Sequence, residues 1–362
     1  MCAADAYREL GELLEYPDSA RLRRILEYLV TEEQARLVVS LPASPEELAQ
    51  KLNMDVERVN SLSRDLYDKG VIIHRNFDPL EGFVFIPHLV FLLSLMVPRK
   101  DWRSTFPELA DLVNDFYEAE LISGLAQTIE KAEQPPWRVL PAYKAILDSP
   151  ELLPEEDVRT ILKGALVMSV IPCGCRVVTG ACRQTQTDVC IALNRFAEYG
   201  LSEGMGGPGK ALSYEEALVV IDAAEEAGLF HVWGNSARMT GTGTMLCSCC
   251  SCCCVNALPC LKHNAPISKW LVKSRYEARV SPGVCIGCRK APAPPCIAIC
   301  PEHFRGAIRM RGTPGTSDFR AVVDPEKCFG CGLCVLKCPV GAIKMELVRP
   351  ADHIPGIGMP RP

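Results

Sequence analysis

Apolar positions recur at helical spacing over residues 5–16 and over 20–40, where Leu22, Ile25, Leu26 and Leu29 form one face. A third helix is predicted from Ser44-Pro45-Glu46-Glu47, an N-cap followed by proline at the first helical position and acids in the first turn, running to Leu52. Asn53-Met54 makes a short turn into a fourth, Asp55 to Lys69, with Val56, Val59, Leu62 and Leu66 on one side and Gly70 as its stop. Val71–His74 and Phe83–Ile86 then read as two strands around Asp78-Pro79 and Glu81-Gly82. Residues 98–160 keep a helical pattern broken by prolines, and Trp137 and Tyr143 read there as packing residues. Further on, Ser213 with Glu216 starts a helix ending at Gly228, with Ala217, Leu218, Ile221 and Ala224 inward. Leu229–Trp233 returns as a strand, in which His231 reads as a strand-end histidine rather than a ligand.

Helix, turn, helix and hairpin in that order resemble a winged helix over residues 1–97. Charge weighs against DNA as its partner. The first hundred residues hold 12 basic against 16 acidic side chains, whereas duplex binding draws most of its affinity from phosphate neutralisation by Lys and Arg. A structural or docking role is the expectation, with residues 98–164 as a helical connector.

The composition is that of an ordinary globular chain of two or three domains, with 48% hydrophobic and 23% charged residues among 362. The exception is cysteine, of which there are twenty. The N-terminus lacks the basic and apolar regions of an export signal. The longest apolar run, Leu89 to Val97, is far short of the roughly 20 residues needed to span a bilayer. A cytoplasmic protein from a reducing, oxygen-poor setting is expected, where thiolates stay available to metals. A net charge of −5 gives no support for bulk binding to nucleic acid or anionic membrane.

The chemistry sits in the cysteine spacing. Cys328-Phe-Gly-Cys331-Gly-Leu-Cys334-Val-Leu-Lys-Cys338-Pro339 is the C-x2-C-x2-C-x3-C-P signature, in which three close cysteines hold one cubane and the fourth reaches a second. Cys285-Ile-Gly-Cys288, Cys296 and Cys300-Pro301 repeat its start and its end, with Arg289 to Pro295 inserted as a loop. Gly287, Gly330 and Gly332 let the backbone bend close, and the prolines stop the short helices. Gly306-Ala-Ile-Arg-Met310 and Gly341-Ala-Ile-Lys-Met345 extend the repeat, so two half-domains would exchange their fourth cysteines. Structural zinc also uses paired C-x2-C motifs, but has no need of a third cysteine two residues on or of a following C-P. Residues 276–347 resemble the bacterial-type dicluster ferredoxin domain. That resemblance implies two [4Fe–4S] clusters, one on Cys285, Cys288, Cys296 and Cys338, the other on Cys328, Cys331, Cys334 and Cys300.

Between residues 165 and 275 lie eleven more cysteines. Cys173-Gly-Cys175, Cys182 and Cys190 suffice for a third cluster or a zinc ion, and Pro172 and Gly174 supply the tight turn that C-x-C requires. Cys247, Cys249, Cys250, Cys252, Cys253 and Cys254, with Cys260 beyond, form the densest run. Neighbouring residues of an extended chain point to opposite sides, so only a subset can serve one centre from one face. A further cluster of unknown type, or one shared with Cys173 to Cys190, is the expectation. Gly204 to Lys210 satisfies G-x4-G-K, yet Ala211 stands where a phosphate loop needs Ser or Thr, so the segment reads as a turn. Residues 165–345 together resemble a group of multi-cluster iron–sulfur proteins of anaerobic microbes.

The fold expected is therefore α+β and multidomain: a helical, winged-helix-like N-terminal part, a cysteine-rich central α/β domain (165–275), a ferredoxin-like dicluster domain (276–347) and a tail (348–362). The function expected is an electron-transfer protein or oxidoreductase subunit that relays low-potential electrons to a redox partner protein. A catalytic iron–sulfur oxidoreductase with an unusual cluster at Cys247–Cys260, and a redox-sensing winged-helix regulator, are the alternatives. No flavin, nicotinamide or molybdopterin fingerprint is present.

Overall fold

The structure is a computed structural model describing residues 5–78, 80–87, 89, 92, 102–149, 151–184, 187–201, 209–235, 243–255, 257–288, 293–304 and 306–355. The greater part of the apolar run 89–97, of the insert after Cys288 and of the glycine-rich turn 204–209 lies outside the described residues, as does the end of the tail. Two compact units emerge, Met1–Gly124 with Val167–Ala211, and Leu125–Leu166 with Leu212–Pro362.

In the first unit the helices are Ala6–Leu13, Ala20–Leu29, Glu32–Val39, Pro45–Leu52 and Val56–Asp68. The single helix expected over 20–40 is two. Val30 is extended and Thr31 opens a capping box with Gln34, so the second helix starts afresh with its own satisfied amides. Ser44 and Glu47 make the capping box read from sequence, and Asn53 closes that helix in the left-handed conformation. Leu22, Ile25, Leu37, Leu66, Ile72 and Ile73 fill the core between these helices. The two expected strands shrink to Ile73–His74 against Phe83–Val84.

After the helix Pro107–Phe116 and the wide turn Tyr117–Leu121, the unit resumes with the strand Met168–Pro172. It pairs antiparallel with Asp188–Asn194 on one side and Lys210–Ala211 on the other. The ladder shifts register between Ile171 and Pro172, where proline offers no N–H.

In the second unit, Trp137–Leu140 is a strand, a correction to the all-helical reading of the connector. Val139 and Leu140 are buried, and this run is too short for its period to show. It pairs antiparallel with Phe230–Gly234 and parallel with Leu271–Val272, while Phe230–Gly234 also pairs antiparallel with Gly243–Cys249. The helix Tyr214–Glu226 begins on the Ser213–Glu216 capping box and ends before Gly228, whose φ is +80°. The C-terminal part is two small antiparallel pairs, Tyr276–Val280 with Ile343–Leu347 and Ile308–Arg311 with Arg320–Val323, plus the short helices Pro295–Ala298 and Leu333–Leu336. Each helix carries the third cysteine of its run, and each repeat strand follows its C-P, so the internal repeat is realised in three dimensions.

Two-stranded pairs this small are marginal alone, and the rest of the unit supports them. The Ala142 amide donates to the Cys331 carbonyl at 2.9 Å. Ser274 Oγ donates to the Gly330 carbonyl at 2.9 Å. Gly330 has φ +72°, and a Cβ there would collide with Ser274 Oγ and the Tyr276 carbonyl oxygen, so no other residue fits this bend. Arg275, 3% exposed, reaches Glu156, 2% exposed, at 2.9 Å, and also donates to the carbonyls of Glu151 and Arg349. Burial raises the Glu156 carboxyl above its usual range, and the Arg275 guanidinium opposes that shift.

Removing Arg275 leaves a buried carboxylate without its cation. Arg275→Ala should therefore destabilise the loaded protein by about 3–5 kcal/mol, whereas replacing both partners with apolar residues of like volume should recover most of the loss. Denaturant midpoints of the three proteins check this, and an Arg275→Ala midpoint equal to wild type would remove the pair from the supports of the ferredoxin part.

Candidate iron–sulfur centres

The repeat brings its cysteines together in crossed fashion. Cys285, Cys288, Cys296 and Cys338 line a single pocket, closed by Ile286, Pro295, Ala321, Pro339, Val340, Ala342 and Ile343. Backbone amides point at two of these sulfurs, Ala342 to Cys338 at 3.1 Å and Ala321 to Cys285 at 3.5 Å. Gly287 makes the approach possible at φ +71°, where a Cβ would stand 2.5 Å from the Phe319 carbonyl oxygen. Burial pushes the Cys296 thiol up to about 11, reinforced by the neighbouring Cys288, Cys338 and Cys285.

For the other four the link is electrostatic: their thiols raise one another, and Cys296 of the first set adds to the shifts of Cys300 and Cys334. Burial pushes the Cys300 thiol up to about 12, with Cys328 adding to the shift. Cys331 is raised by burial and then by Cys300, and Cys334 by burial and then by Cys331, Cys328 and Cys300. Close, water-excluded thiols resist ionising beside one another, and a cation that accepts their lone pairs removes that resistance. Two sets of four soft donors, one of them with amide N–H groups directed at sulfur, fit [4Fe–4S] cubanes well.

In the first unit, Cys190 stands opposite Ile171 in the ladder, and Cys173 follows one residue past the register shift. This places Cys173 in hydrogen-bond contact with Cys175 and Cys190. Those two thiols, followed by Arg176 through its charge and its amide, hold the Cys173 thiol well below the usual range. Cys182 lies on the following loop and accepts the Gln184 amide at 3.4 Å.

In the second unit, Cys247 and Cys249 belong to the strand ending at Cys249, and Ser248 projects from its other face onto His231, Oγ to Nδ1 3.1 Å. That alternation is the one expected of adjacent residues. Past the strand end the chain turns at Ser251–Cys253, and the sulfurs of Cys250, Cys252 and Cys253 come within 4.8 Å of one another. Cys250 and Cys253 are 3.2 Å apart. Cys254 is buried just beyond, and its carbonyl accepts the amides of Ala257 and Leu258. Cys260 is placed differently: it packs on an apolar cluster of Ala126, Ile129 and Ala265 beside Trp270, and burial pushes its thiol up to about 11.

Two residues without a signal in the sequence join this turn. Ser251 Oγ accepts the Glu302 amide at 3.0 Å and lies 3.0 Å from His303 Nδ1. Burial pushes the His303 imidazole down to about 3, opposed by the charge of Cys250, so the ring is neutral. His231 is wholly buried, its Nε2 3.4 Å from Glu225 Oε1.

Comparison with known proteins agrees with this part of the chain. Residues 321–344 match the 4Fe-4S binding domain, so the C-terminal region carries an iron–sulfur ferredoxin domain. An uncharacterized ferredoxin of Methanocaldococcus jannaschii is 39% identical over 73 residues, 20% of this chain and 42% of its own length. A subunit of the ion-translocating oxidoreductase complex of Methanosarcina acetivorans is 42% identical over 62 residues, 17% of this chain and 18% of its own. The pyruvate synthase subunit PorD of Methanothermobacter marburgensis is 39% identical over 62 residues, 17% of this chain and 56% of its own. The chain thus spans little more than half, at most, of these relatives. No solved structure matches it significantly. Among the described residues no helix is long and apolar enough to cross a membrane.

The crossed grouping is directly testable. Cys338→Ala should abolish the same paramagnetic signal that Cys285→Ala abolishes, and Cys300→Ala the signal lost in Cys328→Ala. Electron paramagnetic resonance of the four variants decides it, and pairing of each fourth cysteine with its own run would overturn the grouping.

Proposed function

We propose that this protein is an iron–sulfur electron carrier, a relay or oxidoreductase subunit holding two [4Fe–4S] clusters and at least one further centre, which exchanges low-potential electrons with a redox partner protein in the cytoplasm. The observation that supports it best is the pocket in which Cys338 of one run joins Cys285, Cys288 and Cys296 of the other; these four make one proposed ligand set, and Cys328, Cys331, Cys334 and Cys300 the other. When bound, a cubane supplies reversible one-electron chemistry, and the chain sets its potential through hydrogen bonds to sulfur, burial and nearby charge. The Ala321 and Ala342 amides perform the first of these roles and the apolar lining the second. Val284, Ile286 and Val340 stand exposed around the Cys285 pocket, giving a partner an apolar rim to meet.

The further centre belongs to the turn of Cys250, Cys252 and Cys253, with Cys247, Cys249 and Cys254 as its neighbours in the run and the group of Cys173, Cys175, Cys182 and Cys190 as a second candidate. The N-terminal helices and hairpin serve as a winged-helix-like docking module. Their acidic balance gives DNA no foothold.

Anaerobic iron and labile-sulfide quantitation on the full chain tests the reading. It should find more iron than two cubanes contain, with the excess reduced in Cys250→Ala. Iron for two cubanes alone, or zinc in place of the excess, would reduce the protein to a dicluster ferredoxin on a thiol-rich scaffold. Cyanide or carbon monoxide separates relay from catalyst. A fully thiolate-ligated centre has no vacant corner, so an unchanged spectrum is expected, and a shifted signal that vanishes on replacing cysteines between Cys247 and Cys254 would make the protein an enzyme.

A further inference from the structure

His303 lies in the ferredoxin part, three residues past Cys300, yet its firmest polar contact is with the cysteine turn more than fifty positions earlier. Ser251 stands between Cys250 and Cys252, and its hydroxyl oxygen takes the amide of Glu302 as well as facing His303 Nδ1. Two hydrogen bonds therefore fasten the 302–303 segment to the turn. The ring also meets Phe230 and Phe304 in tilted contacts, at 4.6 and 4.3 Å between centroids, and Phe304 stacks parallel to Phe329 at 4.5 Å. Phe329 immediately follows Cys328, and the Phe304 carbonyl is 3.7 Å from Cys300 Sγ. One rigid aromatic unit thus touches both the central turn and the inner half of the ferredoxin part.

The other nitrogen is unexplained by the protein alone. His303 Nε2 is shielded from water and has no hydrogen-bond partner among the described residues. A buried imidazole nitrogen without a partner costs free energy. The tautomer is set by whether Ser251 Oγ meets Nδ1 as donor or as acceptor. The Ser251 hydroxyl hydrogen can be given to Nδ1, leaving the ring proton on Nε2 as a donor without an acceptor. The sulfur of Cys250 is near enough for its charge to act on this ring. A metal centre held by Cys250, Cys252 and Cys253 would bring the electron-rich acceptor that the site lacks.

We infer that His303 is a positioning residue of the central cysteine centre, fixed by Ser251 so that Nε2–H donates toward that centre's sulfur, and that it joins the centre to the Cys300–Cys328 half of the ferredoxin part. The inference rests on the proposed function, since it requires a centre on the turn. A donor to sulfur stabilises the more electron-rich, reduced state, so its removal lowers the midpoint potential.

The test uses the full chain, loaded anaerobically. The relevant signal is the one lost in Cys250→Ala. His303→Phe keeps an aromatic ring in place and deletes both nitrogens, Ser251→Ala leaves the ring but not its anchor, and His303→Gln restores an N–H of similar reach. With iron content unchanged, His303→Phe and Ser251→Ala should each shift the midpoint of that signal downward and leave the signal of the Cys285 pocket in place. The double variant should add nothing to His303→Phe, because the two residues act as one unit, and His303→Gln should return part of the shift. An unmoved midpoint in both single variants at full iron content, or additive shifts in the double, would overturn the inference while leaving the relay intact. Wild-type protein holding iron for two cubanes only would instead remove the central centre from the proposed function, and this inference with it, leaving a dicluster ferredoxin.

Discussion

Close packing of thiols away from water governs the second unit. Cys296, Cys300, Cys331 and Cys334 are all driven toward the neutral form by burial and by one another, so as bare thiols they are poor company. A bound cation reverses the sign, since each thiolate then faces positive charge rather than its neighbour. On the proposed function, metal loading is therefore coupled to folding of the C-terminal part. The secondary structure there is consistent with this: helices of four residues and strand pairs of four or five carry little core of their own. What they lack is supplied by the neighbouring strand region through Ala142, Ser274 and the Arg275–Glu156 pair, all of which grip the backbone beside a cysteine run or the strand that leads into it.

The central run illustrates how a strand end can sort identical side chains. While the chain is extended, Cys247 and Cys249 share a face and Ser248 takes the other, meeting His231. At Cys250 the ladder stops, alternation ends, and a turn gathers three sulfurs that strand geometry would have separated. Cys260, only a helix away, falls instead into an apolar cluster. Cysteines six to ten residues apart are thus assigned different work by backbone conformation alone.

Much of this was legible in the sequence where the signal is local. Ser44 with Glu47 and Ser213 with Glu216 marked helix starts because capping is satisfied within four residues, and the C-x2-C-x2-C-x3-C-P run fixed a tight turn for the same reason. Thr31 with Gln34 was an equally local signal that the continuous apolar pattern of residues 20–40 overrode. Trp137–Leu140 became a strand only through partners near residues 231 and 271, contacts that no window of the sequence contains. Ser251 and His303 are the extreme case. Neither motif nor spacing links them, and only the packing of the ferredoxin part against the strand of Phe230 brings them within 3.0 Å.

That packing gives the two halves of the ferredoxin repeat unlike surroundings from like sequences. Cys285 is flanked by Val284 and Ile286, 48% and 55% exposed, whereas Cys328 is followed by Phe329 at 5% and Cys334 is preceded by Leu333 at 1%. Reduction adds negative charge, which low-dielectric surroundings disfavour and solvent or N–H donors favour. On the proposed relay, the outward site has both the exposure and the directed amides of Ala321 and Ala342, while the inward site has aromatic burial and must draw on Ser251, His303 and Phe304 for its link to the central turn. On that reading a near-symmetric repeat acquires a direction, because exposed apolar side chains flank one of its sites and buried ones the other.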